Sequence, residues 1–336
     1  MISFDLSNLS PKIPTSIKKF DPSYVTRYVI LSELIKQSTL GLKQVNILDV
    51  GGYNGAIRDI LPGMRTTIVD IQEDDKLENY VRVNSTKLPF KDNAFDVVVS
   101  SDTLEHIPPE QRKEFITEMV RVSKGYVFIG APFGGNGVEV AEAKSNAFYV
   151  GMTRKDYIWL KEHKEYVLPD RKWLGNILDN LGVHHKSIGH TSVELWENML
   201  RNNFFLAGNI YGVNKGISKK LASFNQYYLD NFAFEDFPKN GYRTFFIISK
   251  KADFNVVLPD FDQSKYIDLL VKNMRLLGVS IQNLTREYGT LKANYKNITD
   301  SNMSLSSELE QAHKQLASKS YRLTRRIVNT INKLKP

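Results

Sequence analysis

The chain has 336 residues, about twice the usual single-domain length, with 42% hydrophobic and 24% charged residues, an ordinary globular balance. No apolar run approaches the roughly 18 residues of a membrane span, and the absence of cysteine excludes disulfides, thiol catalysis and thiolate zinc sites. The net charge of +8 is concentrated at the end, where Lys319, Arg322, Arg325, Arg326, Lys333 and Lys335 occur without any acid, so the globular part gives no reason to expect nucleic acid.

At the N-terminus no continuous apolar segment follows a basic start, which leads us to expect a cytoplasmic protein. From there to about residue 255, short β-branched runs alternate with helical patterns. Strands are expected at 45–50, 66–70, 95–100 and 126–130, and again at 243–249. Strands separated by helices imply parallel βαβ units and an α/β doubly wound sheet. Between the third and fourth strands, Pro108 and Pro109 open a helix that Gly125 is expected to stop; residues 173–182 read as another, ending at Gly182. The stretch 192–240 reads as a helical insertion.

From Ile267 a seven-residue repeat takes over. Leu270, Leu277, Leu284, Leu291, Ile298, Leu305 and Ala312 recur at constant spacing, with Met274, Ile281, Tyr288, Tyr295, Asn302, Leu309 and Leu316 interleaved. Sustained a/d spacing predicts a C-terminal coiled coil over 265–318 and a homo-oligomer joined through 267–316; a long helix packed on its own domain is the alternative. Residues 319–336 form a basic amphipathic helix with Leu323, Ile327, Val328, Ile331 and Leu334 on one face. Such a stripe suits peripheral binding to an anionic inner membrane face, or packing on a partner helix.

The chemistry is concentrated where the first strand of the repeat ends. Asp49 and Val50 run into a loop with Gly51, Gly52 and Gly55, and the second strand ends at Asp70. Glycines there let a ligand approach the backbone, and an acid at the second strand end can accept hydrogen bonds from ribose hydroxyls. A glycine turn followed by a surface aspartate would look the same. A dinucleotide is disfavoured because Tyr53 occupies the third position of the turn, where the pyrophosphate fingerprint requires glycine.

Together with LPFxDxxFDxV (88–98) and Leu104–Glu105–His106, this loop resembles the class I S-adenosylmethionine-dependent methyltransferases. The resemblance is close over about 25–131 and holds in outline to about 250. It implies a Rossmann-like seven-stranded sheet within a domain spanning 1–255, with S-adenosyl-L-methionine as cofactor. By analogy Asp49 and the backbone of Gly51, Gly52 and Gly55 hold the amino-acid end and Asp70 the ribose. Asn84 with Ser85 stands where the family usually has an acid near the adenine amine. Ser101 and Thr103 border the methyl donor.

If the acceptor is a hydroxyl, a general base must lie within hydrogen-bond reach. The candidates are His106, which would serve equally as a structural residue at the start of the next helix, and Glu162 with His163, which could instead sit on an exposed charged helix. Residues 132–172 follow the last parallel strand, where an open α/β sheet places a substrate lid. His184, His185 and His190 fall around a strand remote from that edge, and no spacing suggests a metal site. Residues 318–327 also resemble the tails of bacterial cell-surface polysaccharide enzymes, which implies a glycan or lipid-linked polysaccharide acceptor. A small-metabolite methyltransferase, or a non-catalytic scaffold acting through the coiled coil, remains the alternative.

Overall fold

The computed structural model describes residues 2–301 apart from 10, 19, 54, 74–77, 84, 85, 207–214 and 261. Asn84, Ser85, the later heptads and the basic helix expected at 319–336 therefore lie outside the described residues. In chain order the elements are β1 (Ile2–Asp5), α1 (Thr15–Lys18), α2 (Pro22–Ser38), β2 (Asn46–Val50), α3 (Ala56–Ile60), β3 (Arg65–Asp70), β4 (Tyr80–Arg82) and β5 (Phe95–Ser101). A single 3-10 turn (Leu104–His106) leads to α4 (Pro109–Val122), β6 (Ser123–Pro132), α5 (Val138–Thr153), α6 (Ile158–Tyr166) and α7 (Arg171–Asn180). Then come β7 (His184–Ser192), α8 (Val193–Leu206), α9 (Lys215–Asn231), β8 (Gly241–Ser249), β9 (Phe254–Val257) and α10 (Gln263–Ser301).

Seven of these strands form one sheet in the order β4-β3-β2-β5-β6-β8-β7. The first five run parallel, and β8 enters antiparallel between β6 and β7. Alternation along the strands divides the core. Ile47, Val97, Val99, Tyr126, Phe128, Phe245 and Ile247 face α2 and α9, and Leu48, Val50, Val98, Val127, Ile129, Phe246 and Ile248 face α4 and α7. Both faces are covered, which is why the central strands read as unbroken apolar runs. The order reverses between β2 and β5, so the carboxyl ends of these two strands open the crevice in which such sheets bind ligands.

Three expectations need correction or refinement. Helix α4 starts at Pro109 but ends at Val122, and Gly125 lies inside β6. The Ser123 hydroxyl bonds the Tyr126 carbonyl and accepts from Gly125 N, so it is the serine that turns the chain into the strand. The N-terminal residues also form an unforeseen strand: β1 pairs in parallel with β9 as a separate two-stranded sheet. At the other end, the first turns of α10 lie on the chain's own domain. Leu277, assigned to the coiled-coil seam, is buried among Phe204, Phe205 and Leu221, and Asn273 Oδ1 accepts from Asn202 Nδ2 at 2.8 Å. Met274, Ile281 and Tyr288 on the same helix are exposed. No helix of the described residues is long and apolar enough to cross a membrane.

Candidate active site

The glycine loop leaves β2 under tight steric control. Gly51 has φ +77°, and a Cβ there would lie 2.1 Å from the Thr103 hydroxyl oxygen; a Cβ on Gly52 would lie 2.3 Å from the Asp49 carboxyl. Both positions therefore exclude any larger residue. The two strand ends that frame the crevice meet here, because Thr103 follows β5 and Gly51 follows β2.

Asp49 is only 1% exposed, and neither of its carboxylate oxygens has a hydrogen-bond partner. Burial, with Asp70 adding repulsion, pushes its pKa up to about 7. A buried carboxyl with no partner costs folding energy unless something binds it, so it is a natural receptor for a cationic group. Asp70 accepts backbone hydrogen bonds from Tyr53 at 3.1 Å and Gln72 at 3.0 Å, which fix its carboxylate at the end of β3. Ser101 is buried with its hydroxyl unpartnered, and the Thr103 hydroxyl donates to the Ser101 carbonyl at 3.2 Å. The cradle and the free carboxylate fit the amino-acid end of S-adenosylmethionine, the role expected of Asp49, Gly51, Gly52 and Gly55.

Charge at the end of β5 is organised by residues that sequence reasoning missed. Asp102, at φ +47°, pairs with Arg27 of α2 and accepts from Arg243 Nε of β8 at 2.7 Å. Burial pushes its carboxyl up, but Arg243 and Arg27 outweigh this and hold it well below the usual carboxylate range. Arg27 also lies over the rings of Tyr24 and Tyr28, at 4.8 and 5.2 Å from their centroids. An N-capping Asp21 followed by Pro22 starts α2 and so fixes this Tyr–Arg–Tyr face over the crevice.

The three candidate bases converge. His106 Nδ1 lies 2.8 Å from Glu162 Oε2, the His106 and His163 rings are 4.9 Å apart, and Trp159 meets His106 edge-on at 5.3 Å. His163 is buried, not on an exposed face, and its Nδ1 lies 2.8 Å from Glu142 Oε1, which accepts the Tyr242 hydroxyl at 2.9 Å. Burial, then Asp102, pushes Glu105 up to about 8. Burial and the neighbouring His163 lower His106; burial also opposes the charge on His163, but the hydrogen bond to Glu142 prevails and raises it. The cluster's outer wall is pinned by Arg112, whose Nη2 donates to the carbonyls of Tyr166 at 3.1 Å and Val167 at 2.7 Å. His190 is fully buried, donating to the Ala233 carbonyl at 2.8 Å, and His184 and His185 lie with it on β7, away from this cluster.

Residues 48–129, which carry the loop, Asp70 and the Glu105–His106 turn, match the family described as "Methyltransferase domain". Over this segment the chain is similar to methyltransferase domains. Uncharacterized methyltransferases of Mycobacterium sp. strains JLS and KMS are 32% and 31% identical to the chain over 107 residues, 27% of this chain and 42% of theirs. The chain thus spans less than half the length of these curated relatives. Among solved structures, a SAM-dependent methyltransferase from Archaeoglobus fulgidus is 19% identical with a TM-score of 0.39, over 67% of this chain and 94% of that one. One from Aquifex aeolicus is 19% identical with a TM-score of 0.33, over 53% and 87%. The contacts of Asp102 with Arg27 and Arg243 tie the matched segment to elements on both sides of it.

Proposed function

We propose that the protein transfers a methyl group from S-adenosyl-L-methionine to a hydroxyl of a cell-surface or lipid-linked polysaccharide. The donor assignment is carried by one observation: a buried, unpartnered Asp49 carboxylate beside a glycine loop that admits no Cβ, within a methyltransferase domain. The ammonium of the donor's methionine moiety satisfies that carboxylate, and Asp70 takes the ribose hydroxyls. S-adenosylmethionine supplies an electrophilic methyl on a sulfonium, and the protein's task is to hold the acceptor oxygen in line with it. Thr103 marks the donor side of the crevice; His106, three residues further, marks the acceptor side.

The choice of a hydroxyl rests on the cluster around His106, which provides proton acceptors beside the crevice. The choice of a glycan is supported by Trp159, 48% exposed next to His106 and so open to stacking with the apolar face of a sugar ring, and by the resemblance of residues 318–327 to polysaccharide-enzyme tails. In this reading α5 and α6 form the lid over the acceptor, and the exposed Met274, Ile281 and Tyr288 stripe of α10 continues into a coiled coil that makes a homo-oligomer. The basic helix then holds that oligomer against an anionic membrane surface.

The test is transfer of radiolabelled methyl from S-adenosylmethionine into fractionated extract of the source cells, with wild type compared against Asp70→Ala. Label in the lipid-linked glycan fraction that the variant fails to produce supports the reading. Label confined to small metabolites overturns the glycan acceptor, and failure of S-adenosylhomocysteine to bind the purified protein overturns the donor.

A further inference from the structure

Three side chains from segments far apart in sequence meet beside the crevice: Glu105 and His106 from the turn after β5, and His163 from α6. One ligand atom from each lies within 4.8 Å of the others. His106 Nε2 is 3.9 Å and His163 Nε2 4.0 Å from the same Glu105 oxygen, Oε1. On both rings the other nitrogen is occupied, His106 Nδ1 by Glu162 and His163 Nδ1 by Glu142, each at 2.8 Å. An imidazole that donates Nδ1–H to a carboxylate presents the lone pair of Nε2, so two lone pairs converge on one carboxyl oxygen.

Two atoms of the cluster are buried without a partner among the described residues. His163 Nε2 and Glu105 Oε2 have no hydrogen-bond partner, although the two residues are 6% and 1% exposed. A proton on His163 Nε2 would not resolve this, because 4.0 Å to Glu105 is too long for a hydrogen bond. Two imidazole nitrogens and a carboxylate, each imidazole backed by a second carboxylate, are instead the donor set of a metal centre with open positions.

We propose that Glu105, His106 and His163 bind a divalent transition-metal ion, with Glu162 and Glu142 orienting the two imidazoles. The donor set favours zinc, cobalt, iron or manganese over magnesium or calcium, which take mainly oxygen ligands. Bonds of about 2.0–2.2 Å in a tetrahedral site need ligand atoms about 3.4 Å apart, so each imidazole nitrogen must draw roughly 0.6 Å closer to Glu105 Oε1, and the two nitrogens up to about 1.4 Å closer to each other. His106, the most exposed of the three, is the ring with room to move.

The ion's role rests on the methyltransferase reading, whereas its binding does not. An acceptor hydroxyl in an open position would ionise near neutral pH and release its proton to solvent. Its oxygen then forms the O–C bond as the C–S bond of the sulfonium breaks, and that electron pair stays on sulfur. His106 and His163 act here as ligands, and the ion takes over acidification of the acceptor.

The test titrates Co2+ into chelator-treated full-length protein and follows its visible absorption, with Zn2+ as competitor. One Co2+ per chain, displaced by Zn2+, is expected. Glu105→Gln and His106→Asn should each weaken binding by on the order of 100-fold, and Glu162→Gln by roughly 10-fold. S-adenosylhomocysteine binding by His106→Asn, measured in parallel, should match wild type and show that the fold is intact. Absence of stoichiometric Co2+ uptake by wild type overturns the site, as does uptake undiminished in both ligand variants. Failure of wild type to bind S-adenosylhomocysteine would overturn the methyltransferase reading and leave the metal result standing.

Discussion

A Cβ at Gly51 would sit 2.1 Å from the Thr103 hydroxyl oxygen, so the glycine loop and the segment after β5 cannot both keep their places if Gly51 gains a side chain. The φ of +77° adds backbone strain of about 1–2 kcal/mol for any other residue. Gly51→Ala is expected to cost about 2–4 kcal/mol of stability once overpacking is included, and to abolish S-adenosylhomocysteine binding. Denaturant unfolding and calorimetric titration check the two effects separately; full binding in the variant would contradict the loop assignment.

Asp49 gives cofactor binding a pH dependence of defined sign. Its pKa, about 7 in the free protein, is raised by burial, so the carboxylate that pairs with the ammonium of the ligand is increasingly lost below that pH. Affinity for S-adenosylhomocysteine should weaken towards acid by up to about tenfold per pH unit. Asp49→Asn should bind weakly at every pH and show no such slope. A wild-type affinity that is flat between about pH 8 and pH 6 would remove Asp49 from the site.

Arg243 is fully buried and meets Asp102 through Nε at 2.7 Å. Arg243→Met leaves the carboxylate with Arg27 alone, and removing one partner of a buried pair typically costs about 3–5 kcal/mol. The variant should unfold at markedly lower denaturant, with Asp102→Asn in the same background recovering part of the loss. A double variant whose loss equals the sum of the losses of Arg243→Met and Asp102→Asn alone would show that the pair contributes no coupling.

His190 predicts acid sensitivity. Burial, with Arg243 adding to it, pushes its pKa down to about 3 against the hydrogen bond to Ala233, while the unfolded chain protonates near 6.5. The folded value is the depressed one, so this stability is complete above about pH 6.5 and is lost as pH falls, by about 1.4 kcal/mol per unit until about pH 3. Denaturant midpoints at about pH 7 and pH 5 should shift less in His190→Gln, which does not titrate, than in wild type. Identical shifts would assign the acid sensitivity elsewhere.

The parts of this fold legible in sequence are those where a local pattern has one physical cause. Val97, Val98 and Val99 are all fully buried because helices cover both faces of the sheet, and such a run can only be a central strand. The glycines of the loop and the acid ending β3 were legible for the same reason. Convergence of distant residues was not: Tyr242 reaches Glu142 across 100 positions, and neither carries a local signature. Arg27 and Tyr24 sit on a helix apolar around much of its surface, where periodicity does not single out a functional face. Heptad spacing has its own ambiguity. It reports a stripe on α10, but Leu277 spends its side chain on Phe204 and Phe205, because a stripe does not specify whether its cover comes from the same chain.

The bond between Asp102 and Arg243 also imposes an order on synthesis. The two residues are 141 positions apart, so a nascent chain carries the whole segment 48–129 long before the guanidinium that neutralises its strand end has been made. Until β8 threads antiparallel between β6 and β7, Asp102 has only Arg27 to face, and the crevice lacks one wall. The stretch with the clearest family signature is therefore not the unit that folds, and a fragment cut to its limits would carry the signature without the site.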